Sequence, residues 1–247
     1  MTSKRKNVAK GFSLIELMLV VLLLTLILGA LFAQINKSQQ RYKVEDQKID
    51  LTQQERDFID QFTRDLHQAG YPALAQYGGR LDFSSNRTAV GVWSLSPTVV
   101  SMEADVDGDG IVDEISYTYD DGSTWPVGNG PNPCPCLKRS SSPKVNGTLP
   151  WAQPAPKYYT QVQNIIPLPA APGAPVFFRA YTSDGTEQDI SAGKTLTNTA
   201  NTDPTYQFLQ NIKNVRITFT TQGVSNDPEI KKSIQVTMTG MARLPNN

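Results

Sequence analysis

The sequence predicts an α+β protein in which a long N-terminal helix, membrane-spanning in its first half and amphipathic in its second half, packs on an antiparallel β-sheet. Three observations predict this class: an apolar run from Phe12 to Phe32, a segment 34–68 without Gly or Pro, and later short segments in which apolar and polar residues alternate. The chain has 247 residues. That length suits one membrane helix and one compact domain of ordinary size.

The apolar run is long enough to cross a bilayer. It contains about 21 residues, and at ~1.5 Å rise per residue a helix of this length spans the ~30 Å hydrocarbon core. Glu16 is the only charged residue in the run. A charged side chain within a membrane helix costs about 2.5–3.5 kcal/mol on insertion scales, so Glu16 predicts a function that needs a charged partner.

The residues before the run are basic. Lys4, Arg5, Lys6 and Lys10 precede it without an acidic residue among them, and this bias predicts that residues 1–11 stay in the cytoplasm while the chain after the run lies outside. A secretory signal peptide is the alternative. Its apolar region is usually shorter, about 7–15 residues, and the segment 28–33 offers no A-x-A cleavage site.

The junction Gly11-Phe12-Ser13-Leu14-Ile15-Glu16 resembles the prepilin motif of type IV pilins and type II secretion pseudopilins. The resemblance implies that a prepilin peptidase cuts between Gly11 and Phe12 and methylates the new amine of Phe12. It also implies that Glu16 is needed for assembly. The implied partners are other pilin or pseudopilin subunits, the inner-membrane assembly platform and membrane lipid. The implied location is the bacterial inner membrane with a periplasmic C-terminal domain, and then the pilus or pseudopilus.

The physical chemistry of Glu16 agrees with what the resemblance implies. After cleavage, the amine of Phe12 is a positive charge at membrane depth, and the Glu16 carboxylate of a neighbouring subunit would neutralise it. Pairing two charges that are costly in lipid favours the assembled state over the monomer. The alternative is that Glu16 reaches back to the headgroups, because it lies only one turn into the run.

The second half of the helix, residues 34–70, carries an apolar stripe. At 100° per residue the stripe comprises Val44, Leu51, Phe58, Ile59, Phe62, Leu66 and Ala69. Lys48 and Glu55 project onto the same arc and are expected at its edges. Gly70-Tyr71-Pro72 predicts the end of the helix, because Gly caps a helix and Pro stops it.

The expected head, residues 71–247, contains five segments that read as strands: Ala89–Trp93, Ile111–Tyr119, Val176–Tyr181, Val215–Phe219 and Ile234–Met238. Packing them on the apolar stripe is the fold that the prepilin resemblance implies. Phe62–Tyr71 also resembles the helix end of PilW-like minor pilins and J-type pseudopilins. Between about 120 and 175 the composition shifts to Pro, Gly, Ser and Asn, which predicts a surface excursion.

A second motif is acidic. Asp105, Asp107, Asp109 and Asp113, with the carbonyl of Ile111, alternate in a Gly-rich loop that can converge on Ca²⁺. The loop resembles those of dockerin and thrombospondin-type repeats. It departs from the EF-hand pattern because Ser116 stands where a bidentate Glu would close the site. Calcium binding and a plain Asp-Gly turn both remain open from the sequence.

The remaining chemistry favours no enzyme. His67 is the only histidine and projects away from the stripe, and no nucleophile, phosphate-loop or zinc-protease motif occurs. Cys134 and Cys136 are the only cysteines; a strained disulfide within the pair, an intermolecular one, and free thiols all stay open. A net charge of zero and the lack of a basic cluster beyond the leader argue against nucleic acid.

Together these features predict a non-enzymatic minor pilin, a structural or priming subunit of the type IV pilus that needs no cofactor. A type II secretion pseudopilin is the first alternative. A membrane-anchored, calcium-dependent binding protein is the second.

Overall fold

The computed structural model describes residues 13–78, 80–122, 135–167, 176–200, 202–226 and 232–246. Its first element is helix α1, Leu14–Gln68, with 55 residues, which corresponds to a length of roughly 82 Å. The predicted end of the helix is confirmed: Ala69 is the C-cap residue, and Gly70 adopts φ +80°. An added Cβ at Gly70 would lie 2.8 Å from the carbonyl oxygen of Asn246, so both the turn and this close approach require glycine.

Two antiparallel sheets follow. The strands and the second helix are β1 Val92–Leu95, β2 Val99–Ala104, β3 Asp113–Asp121, β4 Pro135–Pro143, β5 Tyr158–Val162, β6 Phe178–Tyr181, β7 Glu187–Gln188, β8 Lys194–Thr195, α2 Pro204–Asn211, β9 Asn214–Asn226 and β10 Ser233–Arg243. The larger sheet has the order β5-β4-β3-β2-β1-β8, and the smaller has the order β10-β9-β6-β7. The predicted α+β class, a long helix on antiparallel strands, is confirmed, although the strands divide into two sheets.

The second half of α1 joins these sheets. Phe62 packs edge-on against Tyr117 of the larger sheet at 5.1 Å between ring centroids, and stacks on Phe178 of the smaller sheet at 5.9 Å. One turn earlier, Phe58 makes edge contacts with Tyr117 and with Phe219 at 5.7 and 5.5 Å. The core therefore lies where α1 meets both sheets, and α1 covers the aromatic residues of each.

The β9–β10 hairpin runs along the helix. Gly223 lies near the Gln47 side chain, Thr221 donates a hydrogen bond to Glu55, and Gly240 faces Ile59. A Cβ at Gly240 would lie 2.7 Å from Cγ2 of Ile59, so the glycine permits an approach that no larger residue allows.

Most of the predicted stripe is buried. Val44, Phe58, Phe62, Leu66 and Ala69 are all buried, while Leu51 and Ile59 are half-buried and Lys48 is exposed. The placement of Glu55 at the edge of the stripe is wrong, because Glu55 is fully buried. It reaches the hydroxyl of Thr221 on β9, a polar partner that the helix periodicity does not reveal.

The five strand predictions each fall on or beside an observed strand, but several strands were missed. β4 and β5 lie within 120–175, where the composition predicted a surface excursion, so the structure differs from that expectation. The polar sequence of β4 hides its central position between β3 and β5. Lys138 on β4 is buried and pairs with Asp120 at 2.5 Å. The ion pair offsets the cost of removing the Lys138 charge from water.

Candidate functional site

The first half of α1 is an exposed apolar surface. From Leu14 to Ile35 its large apolar side chains point to the surroundings, and the least exposed of them, Leu28, retains 43% of its accessible surface. Within the described residues, α1 is the single helix long and apolar enough to cross a membrane. A surface of this kind needs lipid or other apolar helices around it.

Glu16 lies at the N-terminal end of this surface. Ser13 is the N-cap residue of α1, and its backbone N–H donates to the Glu16 carboxylate at 3.4 Å. The carboxylate therefore folds back over the positive end of the helix, where a negative charge is favourable. Gly11 and Phe12, the predicted cleavage and methylation positions, lie outside the described residues.

The acidic loop lies at the opposite end of the molecule's long helix, beside its C-terminus. It connects β2 to β3, and the register pair Ala104–Asp113 closes it. Carboxylate oxygens of Asp105, Asp107 and Asp109 lie within 4.8 Å of one another. Gly108 and Gly110 adopt φ of +77° and +82°, which lets the loop turn tightly between the acids.

Backbone amides hold these carboxylates in place. The two oxygens of Asp105 accept hydrogen bonds from Gly108 N and Gly110 N at 2.8 and 3.1 Å. Ile111 N donates to Asp109 at 2.7 Å. Asp113 is buried near them, and burial together with the charges of Asp107, Asp109 and Asp105 raises its pKa to about 6. The loop therefore concentrates negative charge at the ends of β2 and β3, the two central strands of the larger sheet.

Buried charges that the sequence analysis missed lie behind the loop. Lys144 Nζ donates to Glu103 Oε2 at 2.8 Å and to the carbonyl oxygen of Phe83 at 2.8 Å. Glu114 lies opposite Glu103 in the β2–β3 register, and burial, with the Glu103 charge adding to it, raises the pKa of Glu114 to about 7. The sequence does show charged residues within the strand segments, and these were the available signal of buried charge. Their pairing, however, depends on contacts between segments that are distant along the chain.

The other predicted residues are placed as follows. Cys136 is buried and disulfide-bonded, while Cys134 lies outside the described residues. His67 is exposed on α1, as predicted. Ser116 is buried, and its hydroxyl donates to Ser101 at 2.8 Å instead of contacting the acidic loop.

An N-terminal helix with an exposed apolar half and a half that organises an antiparallel β head is the arrangement of the pilin-like class. The family model for the prokaryotic N-terminal methylation motif matches residues 6–32. This match supports a type IV pilin-like protein, which is a structural subunit that prepilin peptidase processes and that assembles with other pilins. It also fits anchoring in the inner membrane. Searches of curated proteins and of solved structures found no match to the chain.

Proposed function

We propose that this chain is a minor pilin, a structural or priming subunit of the type IV pilus that is cleaved after Gly11, methylated on Phe12 and packed through α1. The observation that carries the proposal is the exposed apolar half of α1 with Glu16 as its one charge, within the matched motif. Such a surface is costly in water and is satisfied first by lipid and then by the helices of other subunits.

Assembly would change the partner of Glu16. In the single chain the carboxylate contacts the N–H of Ser13. In a filament the methylated amine of Phe12 on an adjacent subunit would offer it a full positive charge. An ion pair with a full positive charge replaces a hydrogen bond from a neutral N–H, so the pairing favours association and also fixes the axial register between subunits.

The test of processing compares the N-terminal sequence and intact mass of the full chain from cells with and without prepilin peptidase. We expect a start at methylated Phe12 only when the peptidase is present. A start at Met1 in both, or within residues 30–34, would contradict the proposal and indicate an uncleaved anchor or a signal peptide.

The test of assembly compares Glu16→Gln with Glu45→Gln, which changes an exposed Glu farther along the same helix. We expect both variants to insert in the membrane and only Glu16→Gln to fail to enter filaments. Normal incorporation of Glu16→Gln would contradict the pairing.

The prepilin-type motif serves pseudopilins equally, so a type II secretion pseudopilin is the second candidate. Deleting the gene in its own host separates the two: loss of surface pili with normal secretion supports the pilus, and the reverse supports the secretion system.

A further inference from the structure

A pocket of about 650 Å³ lies on the outer face of the smaller sheet. Its floor consists of polar residues from three strands: Arg179, Arg216, Thr218, Thr220, Gln235 and Thr237. Phe178 and Phe219 alternate with these residues and point the other way, into the core that they form with α1. The pocket therefore lies on the side of the sheet that α1 does not cover.

Two guanidinium groups meet on this floor. Arg179 on β6 is the direct register partner of Arg216 on β9, and directly opposite residues project on the same face with Cα atoms about 4.5–5.5 Å apart. Like charges in this position destabilise a sheet, so the pair gains from an anion that contacts both groups. Arg179 donates to the half-exposed carboxylate of Glu187 at 2.6 Å. In the described part of the chain, no carboxylate pairs with Arg216.

The pocket has no acid of its own. None of its ten lining residues is acidic, and the chain between Pro167 and Val176, which both line it, also contains no acidic residue. The hydroxyls of Thr220 and Thr237 share one hydrogen bond at 2.8 Å. Since one of these hydroxyls accepts, its own hydrogen is left to donate to a ligand. The pocket therefore combines two cations with unused donors, which suits a negatively charged ligand.

Neighbouring side chains hold both guanidinium groups. Cζ of Arg216 lies 5.0 Å from the ring centroid of Tyr181, and Nη1 of Arg179 is bonded to Glu187. Each guanidinium offers five N–H donors in a fixed plane, so most of these donors remain for a ligand. A planar carboxylate matches such a fork. Because the two groups are already positioned, less side-chain freedom is lost on binding.

The walls of the pocket indicate the class of ligand. They are apolar and consist of Ile166, Pro167 and Val176. An inorganic anion would leave these walls without a contact, whereas an acidic residue in a peptide brings apolar atoms of its own side chain and of its neighbours against them. The volume also falls in the range of ligand pockets, about 300–1,000 Å³, and exceeds what one small anion fills.

We propose that this pocket binds an acidic segment of a partner protein, with an aspartate or glutamate carboxylate bridging Arg179 and Arg216 and with apolar neighbours against the walls. The free hydroxyl hydrogen of the Thr220–Thr237 pair donates to a carbonyl oxygen of the segment. The site lies on the head, so the inference does not depend on the choice between pilus and secretion system.

The test uses the full chain in micelles of an uncharged detergent. The probe is a capped five-residue peptide with glutamate at its centre, valine on each side and glycine at both ends; a matched probe has glutamine at the centre. Titrations by ligand-observed NMR measure the affinity. The variants are Arg216→Gln and Arg216→Glu, the second of which places a carboxylate opposite Arg179. The control is Arg243→Gln, which alters an exposed arginine of β10 outside the pocket.

We expect saturable binding of the glutamate peptide with a Kd of about 1 mM or lower, and binding of the glutamine peptide weaker by about tenfold or more. Arg216→Gln should weaken the glutamate peptide by a similar factor, Arg216→Glu should abolish its binding, and Arg243→Gln should bind as the wild type does. All variants should unfold cooperatively, because each removes a like-charge pair or an exposed charge. Added salt should weaken binding to the wild type.

Equal affinity for the two peptides would overturn the proposal, as would wild-type affinity in Arg216→Gln. The absence of saturable binding up to about 10 mM peptide would overturn it as well. Inorganic phosphate is titrated as a competitor. If phosphate displaces the glutamate peptide at equal concentration, the pocket is a site for small anions and the assignment to an acidic segment is wrong.

Discussion

Arg139 on β4 donates from Nε to Oδ2 of Asp65 on α1 at 2.8 Å. Tyr117 on β3 donates its hydroxyl to the same oxygen at 2.7 Å. One carboxylate oxygen of the helix therefore holds two strands of the larger sheet. Burial and the Asp65 charge raise the pKa of Tyr117, so the phenol keeps its proton and donates to Asp65 at neutral pH.

Replacing Asp65 with Asn should destabilise the head by about 3 kcal/mol, because Arg139 loses its ion-pair partner within the structure. The control is Asp60→Asn, which alters an exposed residue of the same helix and should change stability by less than about 0.5 kcal/mol. Urea unfolding followed by tryptophan fluorescence measures both. Equal midpoints for the two variants would show that the buried contact adds nothing to stability.

Replacing Gly240 with Ala should destabilise the hairpin contact by about 1–3 kcal/mol, since the added Cβ would meet the branched side chain of Ile59. Gly223→Ala is the matched control, because its Cβ would make only an ordinary contact of 3.6 Å. Adding Ile59→Ala should lower the cost of Gly240→Ala in a double-mutant cycle. Purely additive free energies of unfolding would contradict this account.

The buried carboxyl of Glu55 should make stability depend on pH. Burial raises its pKa, so the folded chain holds a proton that the unfolded chain releases at lower pH. Stability should therefore fall as pH rises above the ordinary pKa of Glu, with a slope of at most about 1.4 kcal/mol per pH unit, until the folded-state pKa is passed.

Glu55→Gln removes this dependence, whereas Glu45→Gln, at an exposed position, should leave it unchanged. Free energies of unfolding between pH 4 and pH 8, without calcium, isolate the effect as the difference between wild type and variant. A difference that stays constant across that range would refute the assignment.

Lys144 should be among the most sensitive positions of the head. Its amine is completely buried with the Glu103 carboxylate, so Lys144→Met leaves two opposed acids without a nearby cation and should cost about 3–5 kcal/mol. Adding Glu103→Gln should recover part of that loss. Lys48→Met, at an exposed position of α1, is the control. Calorimetry of the wild type and the three variants measures these effects: a double variant less stable than Lys144→Met would contradict this explanation.

The sequence predicted α1 well because apolar periodicity and helix-ending residues are local features of the sequence. Phe58, Phe62 and Leu66 recur at helical spacing, and Gly70 marks the end, so no distant information was needed. Glu55, Asp65 and Lys138 were missed or misplaced for the opposite reason. Each has a polar partner on another element of the fold: Thr221 for Glu55, Arg139 for Asp65 and Asp120 for Lys138. A polar side chain is usually exposed, but it can be buried when a partner offsets the cost of removing it from water.

The same limit applied to the candidate site. The alternating positions of Asp105, Asp107 and Asp109 could be recognised in the sequence, and the structure brings their carboxylates together. The position of Lys144 beside Glu103 and Glu114 could not be predicted from the sequence. It depends on the register of β2 and β3 and on the path of the chain after β4.

The contact between α1 and the hairpin also determines how the molecule bears load. Three contacts follow one another along the helix axis: Gly223 with Gln47, Thr221 with Glu55, and Gly240 with Ile59. A pull along that axis strains these contacts in shear, so they share the force and must break together. A sideways pull would separate them one at a time. We therefore expect the contact between α1 and the hairpin to resist a pull along the helix axis more strongly than a sideways pull.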